Sequence, residues 1–314
     1  MLKMSSLIDA LQRATGLDAV SIRRIIATAP ERYKVYSIPK RGGRGRRIIA
    51  QPAKEVKALQ RAVMRIYLQD LPVHPSATAY VPGRSIRWNA GIHAENGPIL
   101  KLDLSNFFPS IRASDWIAYC NENNVFENTA DRHMSAQILF RRAKGEHVLR
   151  LSIGAPSSPL VSNLLMYNFD RAIAEKVAQD FVTYTRYADD MTFSAARTGY
   201  LTRVEKDVRR TLRSVPYPTV YVNDRKTVLA TKKYRREVTG LILTNDGRVS
   251  LGREKKRNLR AQIHHFKCGE LTKDECAKLA GYLAFAFDVE PTFYARMERV
   301  FGKEILDSIR EFNE

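Results

Sequence analysis

Asp189 and Asp190 stand side by side at the end of Tyr187-Ala188-Asp189-Asp190, between two largely apolar segments. Adjacent carboxylates repel unless a cation neutralises them, so a tight turn carrying both is a place to hold a metal ion. Met191 and Phe193 would fasten that turn to a core, which makes an ordinary solvated turn the poorer reading. Asp103 closes the run Ile99-Leu100-Lys101-Leu102 and offers a third acid at the end of a strand. Hard oxygen donors of this kind favour magnesium. Phosphoryl transfer uses such a cluster with two ions, one lowering the pKa of an attacking hydroxyl and the other steadying a leaving pyrophosphate. The Tyr-x-Asp-Asp pattern alone is a weak signal, because so short a match arises by chance.

The acids need rigid elements to carry them. Ile99 to Leu104, Phe181 to Tyr187 and Met191 to Ala195 read as strands, the last two joined by the turn that holds Asp189 and Asp190. Leu7, Ile8 and Leu11, then Ile22, Ile25 and Ile26, recur at helical spacing, which predicts two short helices ending near Pro30 and forming a lid or platform. Tyr33 to Ile38 and Arg47 to Ala50 read as strands around a basic, glycine-rich tip, Lys40 to Arg46. Helices are predicted over Lys54 to Leu71, from Ser114 (a plausible cap) to Asn121, from Leu160 to about Val177, and over Thr202 to Leu212. Thr219 to Val222, Val238 to Leu243 and Val249 to Leu251 read as strands, the last two around Asn245-Asp246-Gly247. Strands and helices alternate with helices on one side of a small sheet, an α+β fold.

The 314 residues, 44% hydrophobic, suffice for a large core and a smaller appendage. Lys and Arg number 52 against 33 Asp and Glu, a formal charge of +19 that suits a polyanionic partner, nucleic acid before a membrane surface. Lys3, Asp9 and Arg13 interrupt the start of the chain, so it lacks the apolar core of a secretion signal, and no stretch is apolar enough to span a bilayer. Cys120, Cys268 and Cys276 fit no zinc spacing and read as reduced thiols in a cytoplasmic protein.

Four blocks in this order resemble those of reverse transcriptases: Arg47-Ile48-Ile49-Ala50-Gln51-Pro52, Leu102 to Ser110, Gly154-Ala155-Pro156-Ser157-Ser158-Pro159 and Tyr187-Ala188-Asp189-Asp190. The resemblance covers roughly residues 30 to 300. It implies a right-hand polymerase: a helical extension over 1–30, fingers and palm over 31–245 with a small antiparallel palm sheet, and a helical, RNA-binding thumb over 246–314. By that resemblance Asp103 and Asp189 bind both magnesium ions with help from the Leu104 carbonyl, Asp190 completes the catalytic cluster, and the substrates are deoxynucleoside triphosphates. Phe108 falls where an aromatic ring blocks a ribose 2′-hydroxyl, although a core phenylalanine would look the same. Lys40 and Arg47 resemble residues that grip the triphosphate, with Arg44 and Arg46 nearby, although a solvated tip would also be basic. Gly154 borders the nucleotide, and Lys226 resembles a lysine that protonates pyrophosphate or is an ordinary surface lysine. Ile153 departs from the family, which usually has Gln there in contact with template and nucleotide; no metal ligand is lost.

Asn89-Ala90-Gly91-Ile92-His93 and Val238-Thr239-Gly240 resemble two markers of bacterial retron reverse transcriptases. That resemblance implies RNA contacts at these residues, although His93 could equally be a locally satisfied histidine and Val238 to Gly240 a strand ending in a tight turn. It also implies a cognate noncoding RNA, priming from a 2′-hydroxyl of a guanosine in it, a branched RNA-DNA product called msDNA, and a role in antiphage defence beside a separate effector protein and a host RNase H. On a helix from Arg253, Leu259, Ile263 and Phe266 share one face, and Arg253, Lys256, Arg257 and Arg260 lie around an adjacent one that could meet RNA phosphates or simply face water. Tyr282, Phe285, Phe287, Phe293 and Tyr294 are candidates for base stacking, though most suit a core. The rival readings are a maturase-like or diversity-generating reverse transcriptase, an RNA-dependent RNA polymerase, which Phe108 disfavours, and an RNA-binding scaffold without catalysis.

Overall fold

The computed structural model describes residues 6–40 and 45–312, so Arg44 lies outside the described residues with the rest of 41–44 at the hairpin tip. Helix α1 (Leu7–Thr15) starts at Ser6, whose hydroxyl accepts the Asp9 N–H, and α2 (Ala19–Thr28) starts at Asp18, which caps Ser21 in the same way. Leu7, Leu11, Ile22 and Ile26 are buried in the main core with Leu59 and Val63, and the Leu7 N–H donates to Asp131. The two helices are therefore part of that core and not a lid over it. Strands β1 (Tyr33–Pro39) and β2 (Arg46–Pro52) form a largely exposed antiparallel hairpin. Helix α3 (Lys54–Val63) follows; beyond it the helix widens over Met64–Leu68, where the Gln69 N–H reaches back five residues to the Met64 carbonyl.

After α4 (Ile86–Ile92), strand β3 (Ile99–Asp103) leads through α5 (Phe107–Ser110) to α6 (Ala113–Asn123) and α7 (Thr129–Leu139). Helix α6 begins at Arg112, whose N–H donates to Asp115, so Ser114 lies inside the helix and is not its cap. The short pair β4 (Arg141–Arg142) and β5 (Leu149–Arg150) precedes α8 (Ser158–Leu165) and α9 (Tyr167–Ala178), where one continuous helix was expected and Met166 interrupts it. Strands β6 (Thr183–Tyr187) and β7 (Asp190–Ser194) are followed by α10 (Val204–Ser214) and by β8 (Val228–Ala230), a strand the sequence pattern did not reveal. Residues 219–221, expected to be a strand, form none; flanking Pro216 and Pro218 lack ladder N–H groups, and only Val222 bridges, to Leu104.

The central sheet has the order β6-β7-β3-β8 with antiparallel pairing throughout. Strand alternation divides its faces. Leu100, Leu102, Tyr184, Met191 and Phe193 join Trp116, Phe169, Ile173 and Val208 in the main core under α6, α9 and α10. Lys101, Asp103, Thr185, Thr192 and Ser194 occupy the opposite, polar face. A second core joins α4, Ile99 and Ala230 to the strands β9 (Arg236–Val238), β10 (Leu241–Leu243) and β11 (Val249–Ser250) and to α11 (Arg253–Lys267), α12 (Lys273–Val289), α13 (Pro291–Phe301) and α14 (Lys303–Glu311). A boundary at 245/246 would cut the three-stranded sheet, because β10 pairs with β9 on one side and β11 on the other.

Candidate active site

The register of β3 and β7 sets Asp103 directly opposite Asp190, and the Leu104 N–H donates to the Asp189 carbonyl at 3.0 Å. Opposed residues of an antiparallel pair project to the same face, so both acids belong to the polar face. Asp190 is thus the first residue of β7 and not part of the turn, which consists of Ala188 and Asp189. Ala188 takes the left-handed conformation at φ 57, a strained choice for a residue with a Cβ.

Asp103 is buried; its carboxylate accepts hydrogen bonds from Lys226 Nζ at 2.7 Å and Asn223 Nδ2 at 3.2 Å. Burial and the neighbouring Asp103 charge hold the Asp189 carboxyl above its ordinary range. Burial, then Asp189, pushes Asp190 up to about 6 against the pull of Lys101. Burial works against the charged form of Lys226, but Asp103 outweighs it and raises the ammonium above its usual value. Among the described residues no three acidic, histidine or cysteine side chains stand together as a ready metal site. The donor set nevertheless fits a divalent ion. It supplies hard carboxylate oxygens whose mutual repulsion a cation would relieve, and the Lys226 ammonium already provides positive charge against Asp103.

Beside this edge lies a cleft of about 350 Å³, lined among others by Phe108, Gly154, Tyr80, Lys57 and Arg61. Phe108 is half-buried and tilted against Phe107, so it is neither a sealed core residue nor a free one. Gly154 has φ +115, and a Cβ there would stand 3.0 Å from the Ala50 carbonyl oxygen and 3.0 Å from Ile49 Cγ2. Only glycine fits both that conformation and that approach. The Ile153 carbonyl accepts the Ala50 N–H at 2.7 Å, which docks the β1–β2 hairpin against this turn. Arg47, on the face of β2 that carries Ile49, is exposed and its charge reaches Asp189. Lys40 is exposed at the end of β1, whereas Arg46 is folded back on Ser37 and so is committed to the hairpin. Tyr80, Lys57 and Arg61 were not singled out from the sequence. The spacing of Lys57 and Arg61 by four on α3 is the one signal that could have found them; Tyr80 carries none, although its φ of 62 marks it as strained.

The marker residues have a different position from the one expected. Asn89 and His93 are fully buried. Asn89 accepts from the Thr78 hydroxyl at 2.9 Å, and the His93 ring is held at Ser194 Oγ (2.6 Å) and Thr185 Oγ1 (2.8 Å). Burial pulls His93 down to about 3, so the ring is neutral. His93 braces α4 against the polar face of the sheet and Asn89 ties it to Thr78 in the segment beside β6, and with both side chains buried direct RNA contact by them is closed off in this fold. Val238 is also buried, and Thr239 (φ 48) with Gly240 (φ 79) turns β9 into β10, replacing the single strand expected over 238–243. The Thr239 hydroxyl donates to the Ile86 carbonyl at 3.2 Å, which ties the second marker to the start of the helix that carries the first, and Lys255 Nζ donates to the Gly240 carbonyl at 2.6 Å. On α11, Leu259 and Ile263 are buried, while Arg253, Arg257 and Arg260 face water. Lys256 does not: Glu290 holds its ammonium at 2.5 Å. Phe293 and Tyr294 are core residues, and Tyr282 and Phe287 are exposed.

The family model described as "Reverse transcriptase (RNA-dependent DNA polymerase)" matches residues 38–243. The retron Ec83 reverse transcriptase of Escherichia coli is 39% identical over 284 residues, covering 90% of this chain and 91% of that protein. The retron Ec86 reverse transcriptase of the same organism is 32% identical over 315 residues, 98% of this chain and 94% of that one. Among solved structures, a Candida albicans telomerase in complex with a fragment of telomeric RNA superposes with a TM-score of 0.48 at 12% identity, over 92% of this chain and 64% of that one.

Proposed function

Because the chain belongs to the reverse transcriptase family, as a retron enzyme, we propose that it copies part of a cognate noncoding RNA into the DNA of a branched msDNA, starting from an RNA 2′-hydroxyl. The observation that carries this reading is the register that sets Asp103 against Asp190, beside the Asp189 turn and the cleft of Phe108 and Gly154. In this reading the β1–β2 hairpin is the fingers, the central sheet the palm and α11 to α14 the thumb.

Asp103, Asp189 and Asp190, with the Leu104 carbonyl, would hold two magnesium ions, which supply an acidified hydroxyl nucleophile and charge stabilisation of the leaving pyrophosphate. Lys40 and Arg47 neutralise the triphosphate from the hairpin side. Phe108 packs where the sugar lies and favours deoxynucleotides by leaving no room for a 2′-hydroxyl. Gly154 borders the nucleotide and, with no Cβ against Ala50 and Ile49, lets the hairpin that carries Arg47 dock beside it. Lys226 would hand a proton to pyrophosphate, a role its hydrogen bond to Asp103 at the acidic edge supports. Arg253, Arg257 and Arg260 offer phosphate contacts to the RNA along α11. No helix among the described residues is long and apolar enough to cross a membrane. A cytoplasmic role in antiphage defence, with a separate effector protein and a host RNase H, completes the proposal.

Asp189→Ala tests it: cDNA synthesis is expected to disappear while the RNA still copurifies, and undiminished synthesis would remove the assignment of the acids. Sequencing the copurified nucleic acid should reveal a 2′,5′-branched RNA-DNA species; unbranched RNA alone would sink the retron product.

A further inference from the structure

Tyr80 at φ 62 lines the cleft and Ala188 at φ 57 opens the acidic turn beside it, and both hold the left-handed conformation without being glycine. Such conformations persist only where surrounding bonds over-determine them. Behind both runs one buried chain of hydrogen bonds. Arg186 Nη1 donates to the Ala188 carbonyl at 3.0 Å and to Asn163 Oδ1 at 3.2 Å. Asn163 Nδ2 donates in turn to the Ala79 carbonyl at 2.9 Å. The rest of the guanidinium is committed to Asp170 of α9, through Nε at 2.9 Å and Nη2 at 2.6 Å, and the Tyr184 hydroxyl donates to the same carboxylate at 2.8 Å. Arg186 and Asp170 are wholly excluded from water.

The backbone repeats the connection. The Arg186 N–H donates to the Ser76 carbonyl at 2.7 Å and the Thr78 N–H to the Arg186 carbonyl at 2.8 Å, so the segment leading to Tyr80 runs beside β6 as a short parallel bridge. One arginine and one asparagine thus end on the carbonyls that precede Tyr80 on one side and Asp189 on the other. A guanidinium suits this task because its donors form a fixed planar fork: one side is anchored on a carboxylate, and the remaining nitrogen keeps a set direction.

We propose that Arg186 and Asn163 are positioning residues for nucleotide addition, fixing the Asp189 turn against the Tyr80 wall of the cleft. The proposal rests on the reading of Asp189 as a catalytic acid. Neither side chain reaches the cleft edge itself; both act through the carbonyls they hold. Displacing a reacting group by about 1 Å costs on the order of 100-fold in rate.

Primer extension on an RNA template, with the full chain, separates kcat from the dNTP KM. Arg186→Lys keeps the charge opposite Asp170 but loses the fork, and Asn163→Ala cuts the link while leaving the ion pair intact. Both are expected to remain folded and to lose about 100-fold in kcat with KM near the wild-type value. Val208→Ala, a cavity in the main core on α10, is the control for stability loss alone. A folded Asn163→Ala variant with wild-type kcat, or with a loss no larger than that of Val208→Ala, overturns the proposal; if Arg186→Lys does not fold, Asn163→Ala decides. Asp189→Ala run in parallel keeps the two readings apart. Activity surviving there removes the catalytic assignment, whereas a dead Asp189→Ala beside a fully active Asn163→Ala removes only the positioning role.

Discussion

Among the described residues two arginines are sealed inside this protein, and their surroundings differ in kind. Arg186, under the Asp189 turn, faces a carboxylate: burial works against its charge, but Asp170 outweighs that and holds the guanidinium above its ordinary value. Arg236, in the second core, faces only carbonyls, those of Asn96, Gly97, Leu243 and Thr244, and its Nε has no partner. Burial alone pulls Arg236 below its ordinary range. The first is one half of a neutralised pair whose free nitrogen holds the Ala188 carbonyl behind the acidic edge. The second is a clamp between the loop before β3 and the end of β10, with its charge uncompensated. Ion pairing therefore accompanies the arginine that fixes the acidic turn, while neutral acceptors suffice where two segments need only be tied together.

The contrast predicts unequal costs. Arg186→Met strands a buried Asp170 carboxylate and should destabilise the fold by about 3–5 kcal/mol in urea unfolding. Adding Asp170→Asn should then recover part of that loss, since the orphan charge is gone. Arg236→Met strands no charge, only carbonyls, and should cost about 1–3 kcal/mol. Equal losses at the two sites would break the comparison.

A smaller effect sharpens it through His93, which lies between the two regions. Its ring titrates near 3 in the fold against about 6.5 when unfolded, so the unfolded chain binds the extra proton between those values. The neutral ring's contribution is complete above about 6.5, and acidification toward 3 should cost about 1.4 kcal/mol per pH unit. Unfolding followed between pH 7 and 5 should show a steeper loss for the native chain than for His93→Gln; parallel curves would mean that the ring is protonated inside the fold.

Much of the site was legible because its parts depend on near neighbours in the chain. Short apolar runs placed Asp103 at the end of β3 and Asp189 in a turn between strands, and the glycine of the Gly154 block carries the left-handed conformation such a turn needs. The rest was hidden for a definite reason. Val228-Leu229-Ala230 is too short to show a period, and becomes a strand only because β3 offers it an edge. Asp170 and Arg186 sit on a helix and a strand whose patterns say nothing of each other. Lys256 belongs to a basic stripe by sequence, yet Glu290, 34 positions away, takes its ammonium.

What the sequence by itself determined is the inventory and the local geometry: three acids at strand ends, an aromatic and a glycine turn in polymerase order, and a basic helix with one apolar face. Strand alternation and helical period act over a few residues, so they can be read along the chain. Tertiary structure decided which polar groups are withdrawn from water and which stay free to act. His93, Asn89 and Arg186 are spent inside the protein and Lys256 is held by Glu290, while Arg47, Arg253 and Arg260 remain exposed. That division depends on which distant segments come to cover one another, and desolvation, unlike periodicity, has no signature in the order of residues.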